Sequence, residues 1–333
     1  MKAQKGAALL VAMLTVALVA TLTSAALWQQ WRQVEIESAE RGRSQTAWMM
    51  TGALDWARLI LQEDARAQQG GQVDHLGEPW ALPVLESKLS TFLSQDQKWQ
   101  EGDAEVFLSG YISDTQSRLN VRNLVDKGKI VAPELMVWVR LFERLNLPLN
   151  ELESLTRRLP VALSSATANA SESASTSPTA TAASTSPSTS PLMPQRSAQL
   201  VWLGLSPQTL SVLDNFITVL PEPTPINLNT APAEVLMACV PGLDLASARQ
   251  LVAQRERGHW DSLDAARKSL GALGKGLDDQ RHSIQSQYFE IHGRMRIDRV
   301  VQQERALVKR EGTLVRMLWR ARSPLVSHTA PLQ

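Results

Sequence analysis

The run from Gly6 to Trp31 contains no charged residue. As an α-helix rising about 1.5 Å per residue, Ala7 to Leu27 reaches roughly 30 Å, the hydrocarbon thickness of a bilayer. Lys2 and Lys5 precede it, and Arg32, Glu35, Glu37, Glu40, Arg41 and Arg43 follow in mixed sign. The positive-inside tendency therefore predicts a cytoplasmic N-terminus, with the rest of the chain across the membrane. Three fates fit these residues. One is a conventional signal cut at the small residues Thr23-Ser24-Ala25-Ala26, although its apolar core exceeds the usual span of about 7 to 15 residues. The others are a permanent anchor and a leader cut beside Gly6.

Apolar residues continue at helical spacing through Met49, Ala53, Trp56 and Ile60, and stop at Gly70-Gly71. One long helix is predicted, membrane-embedded at first and amphipathic later, with Trp56 on the stripe that packs against a domain. Trp28 and Trp31 sit where interfacial aromatics anchor a spanning helix.

A strand signal at "AEVFLSGYIS", Ala104 to Ser113, places Val106, Leu108, Gly110 and Ile112 on one face. Such signals return only at "YFEIHGRMRID", with Phe289, Ile291, Gly293, Met295 and Ile297 on one face. Val300 to Lys309 and Leu314 to Arg320 follow, the last with Val315, Met317 and Trp319 together. Short connections predict an antiparallel meander with one polar face.

Between the strand signals the pattern is helical. Pro133 opens a segment with Leu135, Val139, Phe142 and Leu145 at helical spacing. "SPQTLSVLDNFITVLP" predicts a helix capped by Ser206, with Leu210, Leu213, Phe216 or Ile217, and Leu220 as its apolar face. Ser164 to Pro191 is almost wholly Ser, Thr, Ala and Pro, which predicts a disordered linker.

In "PINLNTAPAEVLMACVPGLDLASARQLVAQRERG", Pro225 to Gly258, Thr230 can cap a helix that turns Val235, Leu236 and Cys239 inward. Ala246, Ala248, Leu251 and Val252 belong to a second helix after "VPGLD". The stretch is similar to helix-hairpin-helix modules, which offer backbone N–H groups at a Gly-hydrophobic-Gly turn to a nucleic-acid phosphate. Here Asp244 stands in place of the second glycine, and Arg249, Arg255, Arg257, Arg267 and Lys268 are offset by Glu234, Asp244, Glu256, Asp261 and Asp264. Without surplus positive charge, counterion release gives little affinity, so a structural use is favoured over a membrane-anchored DNA-binding or DNA-uptake function.

No catalytic constellation stands out. His75, His259, His282, His292 and His328 show no metal-ligand spacing and are read as isolated surface residues. "GALGKG", Gly271 to Gly276, lacks the Ser/Thr and the preceding strand of a phosphate loop. Cys239, the only cysteine, is read as a small core residue. A net charge of +1 provides no global field for a polyanion. No enzyme activity is expected.

Lys5-Gly6 followed by Ala7-Ala8-Leu9-Leu10 and an apolar helix resembles the leader of type IV pilins and type II secretion pseudopilins. That resemblance implies cutting by prepilin peptidase between Gly6 and Ala7, and N-methylation of Ala7. Most such subunits carry Glu at the fifth mature position, here Val11. A carboxylate at that depth costs a few kcal/mol unless it pairs, so its absence implies a subunit with no neighbour ahead of it. The subunit known for lacking this Glu is the large minor pseudopilin of the K type. "SRLNVRNL", Ser117 to Leu124, the segment Gly204 to Pro221, and Pro225 to Leu236 resemble that family's runs.

The resemblance implies an α+β fold: a long transmembrane helix on an antiparallel sheet, with a large α-helical domain of helix-hairpin-helix or SAM-like type inserted between strands. The expected divisions are a leader at 1–6, a transmembrane helix at 7–29, its amphipathic continuation at 30–70, and the pilin-like domain at 71–124 and 286–322. The insert covers 125–285, including the linker at 164–191 and the hairpin-like part at 225–270, and a flexible tail covers 323–333. Implied partners are the other minor pseudopilins of the I, J and H types, the major pseudopilin, the inner-membrane assembly platform and prepilin peptidase. The implied location is the inner membrane, single-pass, with the globular part periplasmic. Some family members bind calcium. Here the acidic segment expected before the Gly204 region is replaced by the linker, so no calcium site is carried over.

Overall fold

The computed structural model describes residues 5–67, 73–88, 105–174, 191–297 and 300–322. Helix α1, Lys5–Ala67, runs unbroken for 63 residues. Its first part stands free of the rest of the molecule, and its second lies across a five-stranded antiparallel sheet. The sheet strands are β1 (Val84–Lys88), β2 (Val106–Asp114), β9 (Tyr288–Ile297), β10 (Val300–Glu311) and β11 (Leu314–Arg322), in spatial order β1-β2-β9-β10-β11.

Alternation along the strands directs Ile112, Phe289, Ile291, Ala306, Val308 and Val315 toward α1, where Leu54, Ala57 and Leu61 meet them. A second cluster joins Met50 to Val106, Leu108 and Met295. Gly110 pairs with Gly293 across β2 and β9. A Cβ on Gly293 would come within 2.9 Å of Met50 Sδ, so a glycine at this position lets α1 lie close to the sheet.

The buried stripe of α1 is thus Met50, Leu54, Ala57 and Leu61, one residue on from the expected Met49, Ala53, Trp56 and Ile60, and Trp56 is exposed. Apolar residues on both flanks blur the phase, which is settled by packing on the sheet residues Ile112, Phe289, Ile291 and Met295. Strand β1 carried no clear alternation and escaped the sequence reading; it contributes an edge of five residues. Trp319 also departs from expectation. Leu307 pairs with Trp319 while Val308 pairs with Met317, so Leu318 bulges out and everything beyond it changes face. Trp319 then packs on Leu220, Tyr288 and Leu307, away from α1, while Arg320 reaches α1 to donate to Thr51 Oγ1 at 2.7 Å.

Between Asp114 and Tyr288 the chain leaves the sheet and builds the helical insert. It holds the short strands β3 (Leu119–Asn120), β4 (Val125–Asp126) and β5 (Lys129–Ile130), then α2 (Ala132–Arg144) and α3 (Leu149–Ala174). Next come α4 (Pro207–Leu213), β6 (Ile217–Thr218), β7 (Ile226–Asn227), α5 (Ala233–Cys239), α6 (Leu245–Arg255), α7 (Leu263–Leu270) and β8 (His282–Ser283). A single core cluster joins them through Trp138, Phe142, Leu155, Leu203, Leu213 and Val235. In α2 the buried face is Val137, Trp138, Leu141 and Phe142, rotated from the expected Leu135, Val139, Phe142 and Leu145.

Ser206 caps α4 as expected, its hydroxyl accepting from Thr209 N at 3.2 Å. The helix ends at Leu213 and does not continue to Leu220, because Ile217–Thr218 pair in parallel with Leu119–Asn120 and bury β-branched residues in a strand. The expectation of disorder over 164–191 fails in its first part, since α3 continues to Ala174. "SSATANASESA" contains no proline after Pro160, and its alanines favour a helix already nucleated upstream. Residues 175–190 and the expected tail at 323–333 lie outside the described residues.

Candidate functional site

Two features of this chain are built for joining. The first is the free part of α1, where Leu9, Leu10, Val11, Leu14, Val16, Leu18, Val19 and Leu22 are each more than half exposed. A continuous apolar cylinder of this kind is stable only in lipid or against other apolar helices. Gly6 and Ala7 fall in the first turns of α1, and Val11 is 62% exposed. Among the described residues there is thus a single helix, at the N-terminus, long and apolar enough for a membrane anchor.

The second is the seam between insert and sheet. Asp114 ends β2 just where the chain leaves the sheet, and Ser286 precedes β9 just where it returns. Asp114 Oδ2 accepts from Ser286 Oγ at 2.5 Å, Thr230 Oγ1 at 2.6 Å and Asn227 Nδ2 at 3.1 Å, while Oδ1 accepts from Gln116 N at 2.7 Å. Burial raises the Asp114 carboxyl to about 6, against the pull of the Ser286 and Thr230 hydroxyls. Asn227 also donates to Asp74 O at 3.1 Å, and its Oδ1 accepts from Asn229 N at 2.9 Å. Thr230, expected to cap the following helix, is used in this seam. Helix α5 begins at Ala233 without a side-chain cap.

Arg310, 2% exposed, closes the seam from β10. It donates to Asp64 Oδ2 of α1 at 2.8 Å, to Asp74 Oδ1, and to Ser286 O at 2.9 Å, and it lies 4.8 Å from the Phe289 ring centroid. Asp64, Asp74 and Glu78 bring carboxylate oxygens within 4.8 Å of one another, the one such acidic group among the described residues. Calcium does not fit there. The Arg310 guanidinium already pairs with two of the carboxylates, and burial pushes Glu78 up to about 7, with its Oε2 held by Trp80 Nε1 at 2.6 Å.

Asn120 and Asn123, in the Asn-rich run at the entry to the insert, clamp the loop before β7. Asn120 donates to Glu222 O at 2.8 Å and Asn123 donates to Thr224 O at 2.8 Å. The histidines are not all isolated. His75 stacks on His259 of the insert with ring centroids 3.7 Å apart, and His282 is buried.

In the helical hairpin the Asp244 carboxylate accepts from Ser247 N at 2.7 Å and so caps α6. The helix N-terminus that would receive a phosphate is filled by the chain's own anion. Arg255, counted among the surface charges, is 7% exposed and donates to Leu228 O at 2.5 Å. Cys239 is buried, and that burial drives its thiol far above the ordinary range.

A long exposed apolar helix laid on an antiparallel sheet, with a helical domain spliced between its strands, defines a pilin-type α+β protein whose helix is an anchor or assembly element. Residues 226–285 and 117–222 each match a family model described as type II secretion system (T2SS), protein K. Type II secretion system protein K of Pseudomonas aeruginosa is 28% identical over 300 residues, covering 87% of this chain and 84% of the relative. The crystal structure of the GspK-GspI-GspJ complex from the enterotoxigenic Escherichia coli type 2 secretion system superposes with a TM-score of 0.59. Sequence identity there is 18%, over 86% of this chain and 98% of that one. These matches support placing the chain with the type II secretion system protein K family, a structural component of the secretion apparatus, and with it the role of a minor pseudopilin.

Proposed function

We propose that this subunit forms the tip of a short periplasmic pseudopilus, which it initiates or caps together with other minor pseudopilins of the I, J and H types. The observation that carries the reading is Val11. At the position where other subunits bear a carboxylate for the N-terminal amine of the neighbour ahead, this chain presents an exposed valine. A subunit that needs no such neighbour can stand first, and the bulky insert suits an end position better than one within a stack.

Before assembly α1 holds the chain in the inner membrane, N-terminus in the cytoplasm and globular part in the periplasm. Prepilin peptidase cuts between Gly6 and Ala7 and methylates Ala7, the assembly platform extracts the helix, and the apolar face enters a helical bundle with the major pseudopilin below. A relative's complex with I- and J-type subunits supports this choice of partners. Immunogold labelling of this subunit on overexpressed pseudopili tests the placement. Label at one end of each filament is expected, and label spaced along the length overturns the tip assignment.

A further inference from the structure

The sheet face turned away from α1 meets the insert in a cleft of about 170 Å³. Leu307 and Trp319 form its floor, while Arg118, Arg196, Arg305 and Arg322 reach it from the sides. Glu290, at the bottom, is 4% exposed and fully engaged. Its Oε1 accepts from Arg305 Nε at 2.7 Å, and its Oε2 lies 3.4 Å from His292 Nε2 and 3.6 Å from Arg118 Nη1. Burial opposes its charge, yet the His292, Arg305 and Arg118 contacts hold the carboxyl down to about 2.

The remaining cations have no such match. Arg196 is exposed, its guanidinium 5.0 Å from the Trp319 ring centroid, with no carboxylate in salt-bridge range among the described residues. Arg322 is 72% exposed along its side chain, and its contact with Glu304 Oε1 is long, at 3.9 Å, to a carboxylate that Arg320 already pairs. The cleft therefore presents surplus positive charge above an apolar floor, although the chain as a whole is nearly neutral.

We propose that this cleft is a docking surface for an exposed acidic segment of a second protein, one that places a carboxylate against Arg196 and Arg322 and an aliphatic side chain on Leu307 and Trp319. Charge complementarity selects a carboxylate, and guanidinium geometry suits it by presenting paired N–H groups. The apolar floor requires a neighbouring hydrophobic residue, and the volume suits a single side chain, since a cavity of about 150 Å³ admits a benzene ring. Lipid headgroups are out of reach. Sixteen helical residues, 30–45, lie between the end of the expected span at 29 and Thr46, where α1 meets the folded part, a rise of about 25 Å.

The test uses the full-length chain in detergent and a fluorescein-labelled dodecapeptide of alternating Glu, Asp and Leu, read by anisotropy. The peptide is expected to bind, Arg196→Glu and Arg322→Glu each to weaken it at least tenfold, and Arg43→Glu on the free part of α1 to leave it unchanged. Near-ultraviolet circular dichroism checks that the exposed substitutions leave the fold intact. A Lys/Leu peptide that binds as well, variants that bind like the parent chain, or no binding at all would overturn the proposal. Displacement of the peptide by glycerol phosphate at equal charge would also overturn it, by assigning the arginines to a phosphate.

Discussion

Asn227 Nδ2 and Asp114 Oδ2 lie 3.1 Å apart across the seam between the inserted domain and the sheet, both residues almost wholly buried. The sheet is interrupted for the whole insert, yet its two cut ends, at Asp114 and Ser286, are tied to each other and to the "INLNT" segment. These hydrogen bonds fasten the insertion to the sheet at both points where the chain crosses between them.

Replacing Asn227 with Ala removes the amide donor to Asp114, Asp74 O and Ser286 Oγ at once. An unsatisfied buried polar group costs about 1–3 kcal/mol. Asn227→Ala is expected to lower the unfolding free energy of the detergent-solubilised chain by that amount in urea titration. A change below experimental error would mean the seam is not a stabilising element.

Arg310→Met should be costlier, because it strands the Asp64 and Asp74 carboxylates without their shared partner. Breaking a buried ion pair from one side typically costs about 3–5 kcal/mol. Little soluble or membrane-integrated product is expected at 37 °C. Replacing Asp64 and Asp74 with Asn in the same chain should recover part of the loss.

The pH dependence has a definite sign at Glu78. Burial raises its folded pKa from 4.5 to about 7, so the native state holds a proton that the unfolded chain has already lost in that window. Its contribution is present below pH 4.5 and disappears as pH rises through about 7. Glu78→Gln should flatten this decline and melt above the parent chain at pH 8. A parallel pair of melting curves between pH 5 and 8 would contradict the assignment.

Asp244→Ala removes the cap of α6, and loss of such a cap costs about 0.5–2 kcal/mol. The same substitution frees the backbone N–H groups that a nucleic-acid phosphate would need. Tight duplex binding by the parent chain with a steep negative salt slope would revive the DNA reading; binding is expected to be weak in both proteins.

Much of this architecture was legible because its signals are local. The uncharged run, the alternation in β2 and β9, and the Ser206 cap each specify a neighbourhood without distant partners. What was missed depends on distant ones. The face of Trp319 turns on a single bulge at Leu318, which alternation cannot reveal. Helix α4 stops at Leu213 because a strand at Leu119–Asn120, nearly a hundred residues earlier, claims Ile217. Asn227, Thr230 and Asp114 were visible as residue types, and the repeated Asn in "INLNT" and "SRLNVRNL" was the available signal. Their joint role exists only once Asp114 and Ser286 have been brought together. For Gly6, Ala7 and Val11 sequence resemblance was the signal, and the folded chain adds the place of all three in α1 and the exposure of Val11.

Mass spectrometry of the mature N-terminus, on protein purified from membranes of cells with an intact secretion system, tests the pseudopilin account most directly. The account predicts a chain that begins at N-methylated Ala7, and a Gly6→Leu variant that keeps its leader. A chain beginning near Ala26, or one that retains Met1 in the unaltered protein, would contradict it.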